Sequence, residues 1–224
     1  MASRFDSLPL QQQELIKKHL ALVIEANKTT NLTRIESIEE AMVLHVEDSL
    51  SGIEELESAP QGLYGDMGTG AGYPGIPLAI VSGRKTLLID TRKKKMDIVQ
   101  GIVETLGLTN QIETYAGRAE LLAQSMPGKF SVLTARALSK LSVLLELASP
   151  LLKTGGMLIC YKSHVDDDEF DDALRVQDIV GMKLVSDRTF TIEEYDRRIL
   201  VFKKVKKPSI KLPRQEGQAQ KNPL

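Results

Sequence analysis

Residues 63–78 read Leu-Tyr-Gly-Asp-Met-Gly-Thr-Gly-Ala-Gly-Tyr-Pro-Gly-Ile-Pro-Leu, and no other stretch of the chain gathers as much potential chemistry. Asp66 closes a short apolar run, and Gly68, Gly70, Gly72 and Gly75 follow within eight residues. Glycines lack Cβ atoms, so they can take positive φ and let a ligand lie against bare backbone. Pro74 and Pro77 stiffen the exit and suit the first turn of a helix, where the missing N–H costs nothing. The spacing predicts a strand, a glycine loop and a helix N-terminus, the nucleotide-binding edge of an open α/β sheet.

Two ligands compete for that loop. Gly70-Ala-Gly72-Tyr-Pro-Gly75 spells the Gly-x-Gly-x-x-Gly of a dinucleotide site. Asp66 opposes that reading, because a carboxylate at the strand end repels a pyrophosphate and attracts a cationic amine. S-adenosylmethionine carries such an α-amino group and no phosphate. Pro74 also stands where a phosphate would want a free N–H. The methyl donor is therefore the first expectation, with a dinucleotide and a purely structural tight turn still open. Asp90, about twenty residues past the loop, ends a second apolar run and is placed to accept from ribose hydroxyls of either ligand.

Other polar groupings are weaker. His45, Asp48 and Ser49 invite a triad, but neighbours on one helix diverge by about 100° each, so a polar helix face or a site lined from above is expected instead. Asp166, Asp167, Asp168, Glu169, Asp171 and Asp172 lack the spacing and the glycine of a calcium loop and are read as a solvated face. A lone Cys160 excludes a disulfide framework and a multi-cysteine zinc site.

The elements that must position these residues follow from periodicity. Apolar residues at three- and four-residue steps predict a helix over 8–26, with His19 on its apolar face. Ser37, with Glu40 three residues on, predicts an N-cap for a helix reaching about Leu50. Strands are expected at 85–90, 111–115, 130–136, 157–161, 183–190 and 198–204, with helices at 76–82, 92–106, 140–152 and 166–180. Counting the strand before the glycine loop, Arg136 ends the fourth strand. Strands alternating with helices predict a mostly parallel sheet with helices on both faces, and the short last link predicts one antiparallel pairing. Asp66, Asp90, Ala119, Glu120 and Arg136 all map to the carboxyl edge of that sheet. The expected organisation is a helical extension over 1–60, a main domain over 61–205 and a basic tail over 206–224.

The 224 residues carry a net charge of −1, so attraction to nucleic acid must be local. Arg92, Lys93, Lys94 and Lys95 at a helix start, and the cation-rich, proline-interrupted run 203–214, are the candidates for such a surface. The prolines are expected to keep that run extended and out of the core. No secretion signal and no apolar run near eighteen residues are visible, so a cytoplasmic protein without membrane attachment is expected.

The glycine-proline loop resembles that of the bacterial 16S ribosomal RNA guanine-N7 methyltransferases of the glucose-inhibited-division protein B type. So do Asn31-Leu-Thr33, the stretch 45–50, Arg118-Ala-Glu120, Thr134-Ala-Arg136 and the tail from Leu212-Pro-Arg214 to Pro223-Leu224. The resemblance covers nearly the whole chain. It implies a Rossmann-like class I methyltransferase fold and S-adenosylmethionine as cofactor, contacted by Gly68, Tyr73, Ala119, Glu120 and Arg136, beside Asp66, Gly70 and Asp90. It also implies as target the guanine at nucleotide 527 of the 16S rRNA, in the small ribosomal subunit or an assembly intermediate, with no DNA expected. Guanine N7 has an unprotonated lone pair at neutral pH, so alignment rather than a general base is expected to carry the reaction. Arg136 and Lys162 are expected to hold the guanine or its phosphate, and Asn31 and His45 to close over it, with no metal. A nicotinamide-dependent oxidoreductase and a catalytically silent RNA-binding protein are the alternatives on the same sheet.

Overall fold

The computed structural model describes residues 3–35 and 37–224. Seven strands form one sheet: β1 (Leu63–Met67), β2 (Thr86–Asp90), β3 (Ile112–Ala116), β4 (Phe130–Arg136), β5 (Leu152–Lys162), β6 (Met182–Ile192) and β7 (Tyr195–Lys204). Their order is β3-β2-β1-β4-β5-β7-β6. β1 to β5 run parallel to one another, while β7 runs antiparallel between β5 and β6, as the short β6–β7 link requires.

The helices are α1 (Leu10–Asn27), α2 (residues 38–50, with a π-helical centre Met42–Glu47), α3 (Ile53–Ser58), α4 (Gly75–Ser82), α5 (Lys93–Thr105), α6 (Ala119–Ser125), α7 (Leu141–Ala148), α8 (Asp167–Ile179) and a short α9 (Gln218–Lys221). Ser37 caps α2 as its spacing predicts, its Oγ accepting from the Glu40 N–H at 3.1 Å. Strand alternation sends β4 side chains to two cores. Leu133 and Ala135 join α7, α8 and the C-terminal residues, whereas Val132 meets Leu56, Tyr64 and Leu78 on the other face. The N-terminal helices are not a loose appendage: Ile16, Leu20 and Val23 of α1 share a core with Ile76 of α4 and Val99 of α5.

Two expectations are corrected. The helix predicted over 140–152 ends at Ala148, and β5 starts at Leu152, so Gly155 and Gly156 lie inside the strand. Leu152 pairs with Phe130, and a register shift before Val132 absorbs the extra residues. The second correction concerns the tail. It does not project from the protein but folds back on α7 and α8, with Ala219 buried and Leu212 and Leu224 against the core.

The cause is an acid in the wrong place for water. Glu146, in the buried helix α7, is only 3% exposed, and a carboxylate there needs a partner. Arg214 supplies it with a two-pronged pair, Nε to Oε1 at 2.7 Å and Nη2 to Oε2 at 2.6 Å. Lys204 is buried too, its Nζ donating to the Ser149 carbonyl at 2.8 Å, and burial lowers its pKa to about 8. Arg214→Ala leaves Glu146 unpaired in the core. A loss of about 3 kcal/mol is expected, a fall of roughly 6–12 °C in thermal midpoint. A midpoint unchanged in calorimetry would make the pair a surface ornament.

Candidate active site

The glycine loop is held from beneath by its own acid. Asp66 is fully buried at the end of β1; its Oδ2 accepts from the Gly75 N–H at 2.9 Å and its Oδ1 from the Thr134 hydroxyl at 2.6 Å. Only glycine fits at position 75, since a Cβ there would lie 2.8 Å from Asp66 Oδ2 and 2.3 Å from Leu88. Burial pushes the Asp66 carboxyl pKa up, and the hydrogen bonds from Thr134 and Gly75 oppose that shift. The expectation that Asp66 offers a free carboxylate to an amine is therefore corrected: it is a clamp joining β1, the loop and β4.

Asp90 has a related task at the end of β2. Its Oδ2 accepts from Gly70 N–H at 3.2 Å and its Oδ1 from Arg92 N–H at 2.9 Å, yet the residue keeps 7% exposure at the sheet edge. Gly117 N–H donates to the Asp90 carbonyl at 2.9 Å, which brings the turn before Ala119 and Glu120 to the same edge. Around Gly70 the backbone is open: no heavy atom lies nearer than 4.0 Å to the place a Cβ would take. Gly70, Asp90 and the turn before Ala119 and Glu120 thus meet at the carboxyl ends of β2 and β3.

Beside the loop stands a layered cluster. The Tyr73 ring is stacked on His45, with centroids 4.6 Å apart, and tilted against His19 at 4.4 Å on α1. The Arg136 guanidinium lies 5.8 Å from the Tyr73 ring centre. Arg136 Nη1 donates to Asp48 Oδ2 at 2.8 Å and to the Leu44 carbonyl at 2.9 Å, while Nη2 faces His45 Nδ1 at 3.3 Å. An arginine can only donate, so Nδ1 accepts and the proton of His45 sits on Nε2. That N–H meets Thr33 Oγ1 at 2.8 Å. Burial first, then the charge of Arg136, lowers the His45 pKa to about 3. Burial also lowers His19 to about 4, although its Nε2 donates to the Ala71 carbonyl at 3.0 Å.

A cavity of about 350 Å³ opens next to this cluster, lined by His45, Asp48, Arg136, Lys162, His164 and Arg197 among others. Arg197 Nε holds the second oxygen of Asp48 at 2.7 Å, so one buried carboxylate orients two guanidiniums. Ala137, immediately after Arg136, has φ +50°, a left-handed kink that turns the chain along the cavity wall.

The polar side chains around the cluster take these positions. Asn31 is exposed on the loop before α2, and it is Thr33 that reaches His45. Lys162 lines the cavity, but its Nζ is 2.6 Å from Glu169 and donates to the Ser139 carbonyl. Glu169 is buried and also accepts from Leu141 N–H, so the acidic run on α8 is not wholly a solvated face. Ser49 gives its hydroxyl to the His45 carbonyl, consistent with no triad. Among the described residues no cluster of metal-ligating side chains is found, and no helix is long and apolar enough to cross a membrane. Arg197 and His19 were missed as site residues. The signals were a pair of arginines on one strand, which must face opposite ways, and an imidazole on an apolar helix face.

The profile of the family described as rRNA small subunit methyltransferase G matches residues 12–199. The chain belongs to this family. Ribosomal RNA small subunit methyltransferase G of Lactobacillus acidophilus is 34% identical, over 96% of this chain and 92% of its own length. The protein of the same name from Deinococcus radiodurans is also 34% identical, over 95% of this chain and 85% of its own. In fold, the chain is similar to an O-methyltransferase from Bacillus cereus solved in complex with SAH (TM-score 0.56, 19% identity, 83% of this chain and 90% of that one). It is similar as well to a geranyl diphosphate methyltransferase solved with SAM (TM-score 0.56, 11% identity, 70% and 84%). The architecture is that of class I methyltransferases, and membership of this family makes the chain a methyltransferase, replacing the nicotinamide alternative.

The buried imidazoles make stability depend on pH. Their folded pKa values lie below the unfolded value of 6.5, so between the two the unfolded chain binds more protons. Their contribution is complete above about pH 6.5 and is lost as pH falls toward 4. His19→Gln keeps a donor for Ala71 and removes the titration. Denaturant unfolding at pH 7 and pH 5 is expected to show the wild type losing roughly 1–2 kcal/mol more than the variant. Equal losses would mean that His19 is not buried as a neutral ring.

Proposed function

We propose that this chain transfers a methyl group from S-adenosylmethionine to N7 of a guanine in 16S rRNA, nucleotide 527 by resemblance. The observation that supports this most is the placement of Arg136 and Tyr73 between an acid-lined, open glycine loop and a cationic cavity. The loop suits a nucleoside-bearing methyl donor. Asp90 stands at the β2 end where ribose hydroxyls need an acceptor, and the bare backbone at Gly70 admits close approach. Ala119 and Glu120 flank the adenosine end, and Tyr73 and Arg136 the methyl end. S-adenosylmethionine, when bound, supplies an electrophilic methyl on a cationic sulfur.

The remaining work falls to the chain's own side chains. N7 of guanine needs no deprotonation, so orientation dominates. Arg136, fixed by Asp48 and the Leu44 carbonyl, has donors left for guanine O6 or a phosphate. Arg197 and Lys162 add positive charge along the cavity for the RNA backbone. Neutral His45 and His19 pack Tyr73 without adding a cation beside the methyl donor. The RNA surface is centred on this cavity, and the exposed side chains of Lys94, Lys207 and Lys211 can extend it. Arg214 and Lys204 are engaged in the core, Lys95 donates to the Leu32 carbonyl, and Lys93 pairs with Asp97.

The test is to incubate the protein with labelled S-adenosylmethionine and small-subunit particles lacking the modification, then map the methylated nucleotide. Label at guanine N7 of position 527 is expected, and label elsewhere would overturn the assignment. Arg136→Ala should lower methyl transfer on the order of 100-fold through lost alignment. Its stability cost should stay modest, because Arg197 remains on Asp48. A variant that unfolds easily but transfers at the wild-type rate when folded would make Arg136 structural.

A further inference from the structure

We propose that the C-terminal segment from Leu212 to Lys221 is a latch that positions the adenosine end of the cofactor site. The inference rests on the placement of Ala119 and Glu120 beside adenosine made above. Glu120 is 4% exposed, and its Oε1 accepts from the Gly217 N–H at 2.8 Å. Arg118 Nη2 is 3.4 Å from that same oxygen and 3.3 Å from Gln220 Oε1. Arg118 Nε is buried without a partner, so Glu120 and Gln220 are what hold this guanidinium. The β3–α6 turn is thereby gripped from two sides, by β2 through Gly117 and by the C-terminal segment through Glu120 and Arg118.

The segment is itself anchored. Arg214 is locked on Glu146, Ala219 is 1% exposed, and Leu212 packs on the core. Gly217 sits at φ +72°, and a Cβ there would come within 3.2 Å of Arg118 Nη2. A branched side chain at this point pushes directly on the turn. The latch makes no demand on the RNA side of the site. Its residues are positioning residues: they act on cofactor affinity through Glu120 and the backbone of the turn, not on the transfer step.

Three full-length variants test this: Gly217→Val, Gln220→Ala and Gly217→Asn, the last because asparagine tolerates the left-handed conformation. For each, calorimetry gives the Kd for S-adenosylmethionine, amide exchange follows residues 117–122, and steady-state assays on small-subunit particles give kcat and both KM values. Gly217→Val is expected to speed exchange across the turn and weaken cofactor binding about tenfold, the worth of one hydrogen bond to a charged group. Gln220→Ala should weaken it about threefold, and Gly217→Asn should restore most of the affinity. The kcat at saturating donor and the KM for the particle should stay within about twofold of wild type. Cofactor Kd unchanged in all variants, whether or not exchange rises, would overturn the latch, as would a loss confined to kcat. If Gly217→Val fails to fold, Gln220→Ala and Gly217→Asn still decide. A wild-type chain that binds no S-adenosylmethionine would instead defeat the cofactor reading on which the latch depends.

Discussion

The site depends on one carboxylate that water never reaches. Asp66 ends β1 in the middle of the sheet, where ionisation is disfavoured by burial, and three segments meet on its two oxygens. Gly75 N–H ties in the start of α4, and the Thr134 hydroxyl ties in β4. Tyr64 OH lies 2.8 Å from the same Thr134 oxygen, extending the network beneath the loop. A buried acceptor with well-aligned donors is rigid, since breaking either bond leaves a polar group unsatisfied. The loop above it can therefore present bare backbone in a fixed shape.

The sheet supplies the loop, but the N-terminal helices complete the pocket. The π-helical centre of α2 carries His45 over Tyr73, and Asp48 one step on reaches both Arg136 and Arg197. Tyr161 OH donates to the Ser49 carbonyl at 2.9 Å, and Gly52 is bare because a Cβ would collide with that ring, so α2 sits tight on β5. From the other side His19 of α1 bonds the loop's Ala71 carbonyl. The glycine loop thus meets the neighbouring cavity through Tyr73, which stacks on His45 and lies beside Arg136, both of them in the cavity wall.

Much of this was legible locally. Apolar runs ending in Asp66, Asp90 and Arg136 read as strands whose polar ends share one edge, because parallel strands joined by helices bring those ends together. The N-cap at Ser37 was readable from three residues. What was not legible depends on partners far apart in sequence. Asp66 looks like an exposed strand-end acid until Thr134, 68 positions away, is placed against it. Arg214 looks like a cation for RNA until Glu146 appears inside α7. His19 reads as one more apolar position, since a neutral imidazole packs like one. Lys162 and Glu169 likewise sit in separate elements that only the β5–α8 connection brings into contact.

The central claim is that Asp66 acts through hydrogen bonds rather than through its charge. Asp66→Asn separates the two directly, because the amide oxygen can accept from Gly75 while the amide nitrogen donates to Thr134. Calorimetric titration of this variant with S-adenosylmethionine is expected to give a Kd within about threefold of wild type, with the loop intact. A loss of roughly tenfold to hundredfold in a variant that is folded normally would contradict the account. It would mean that the negative charge of Asp66 is felt by the cofactor itself.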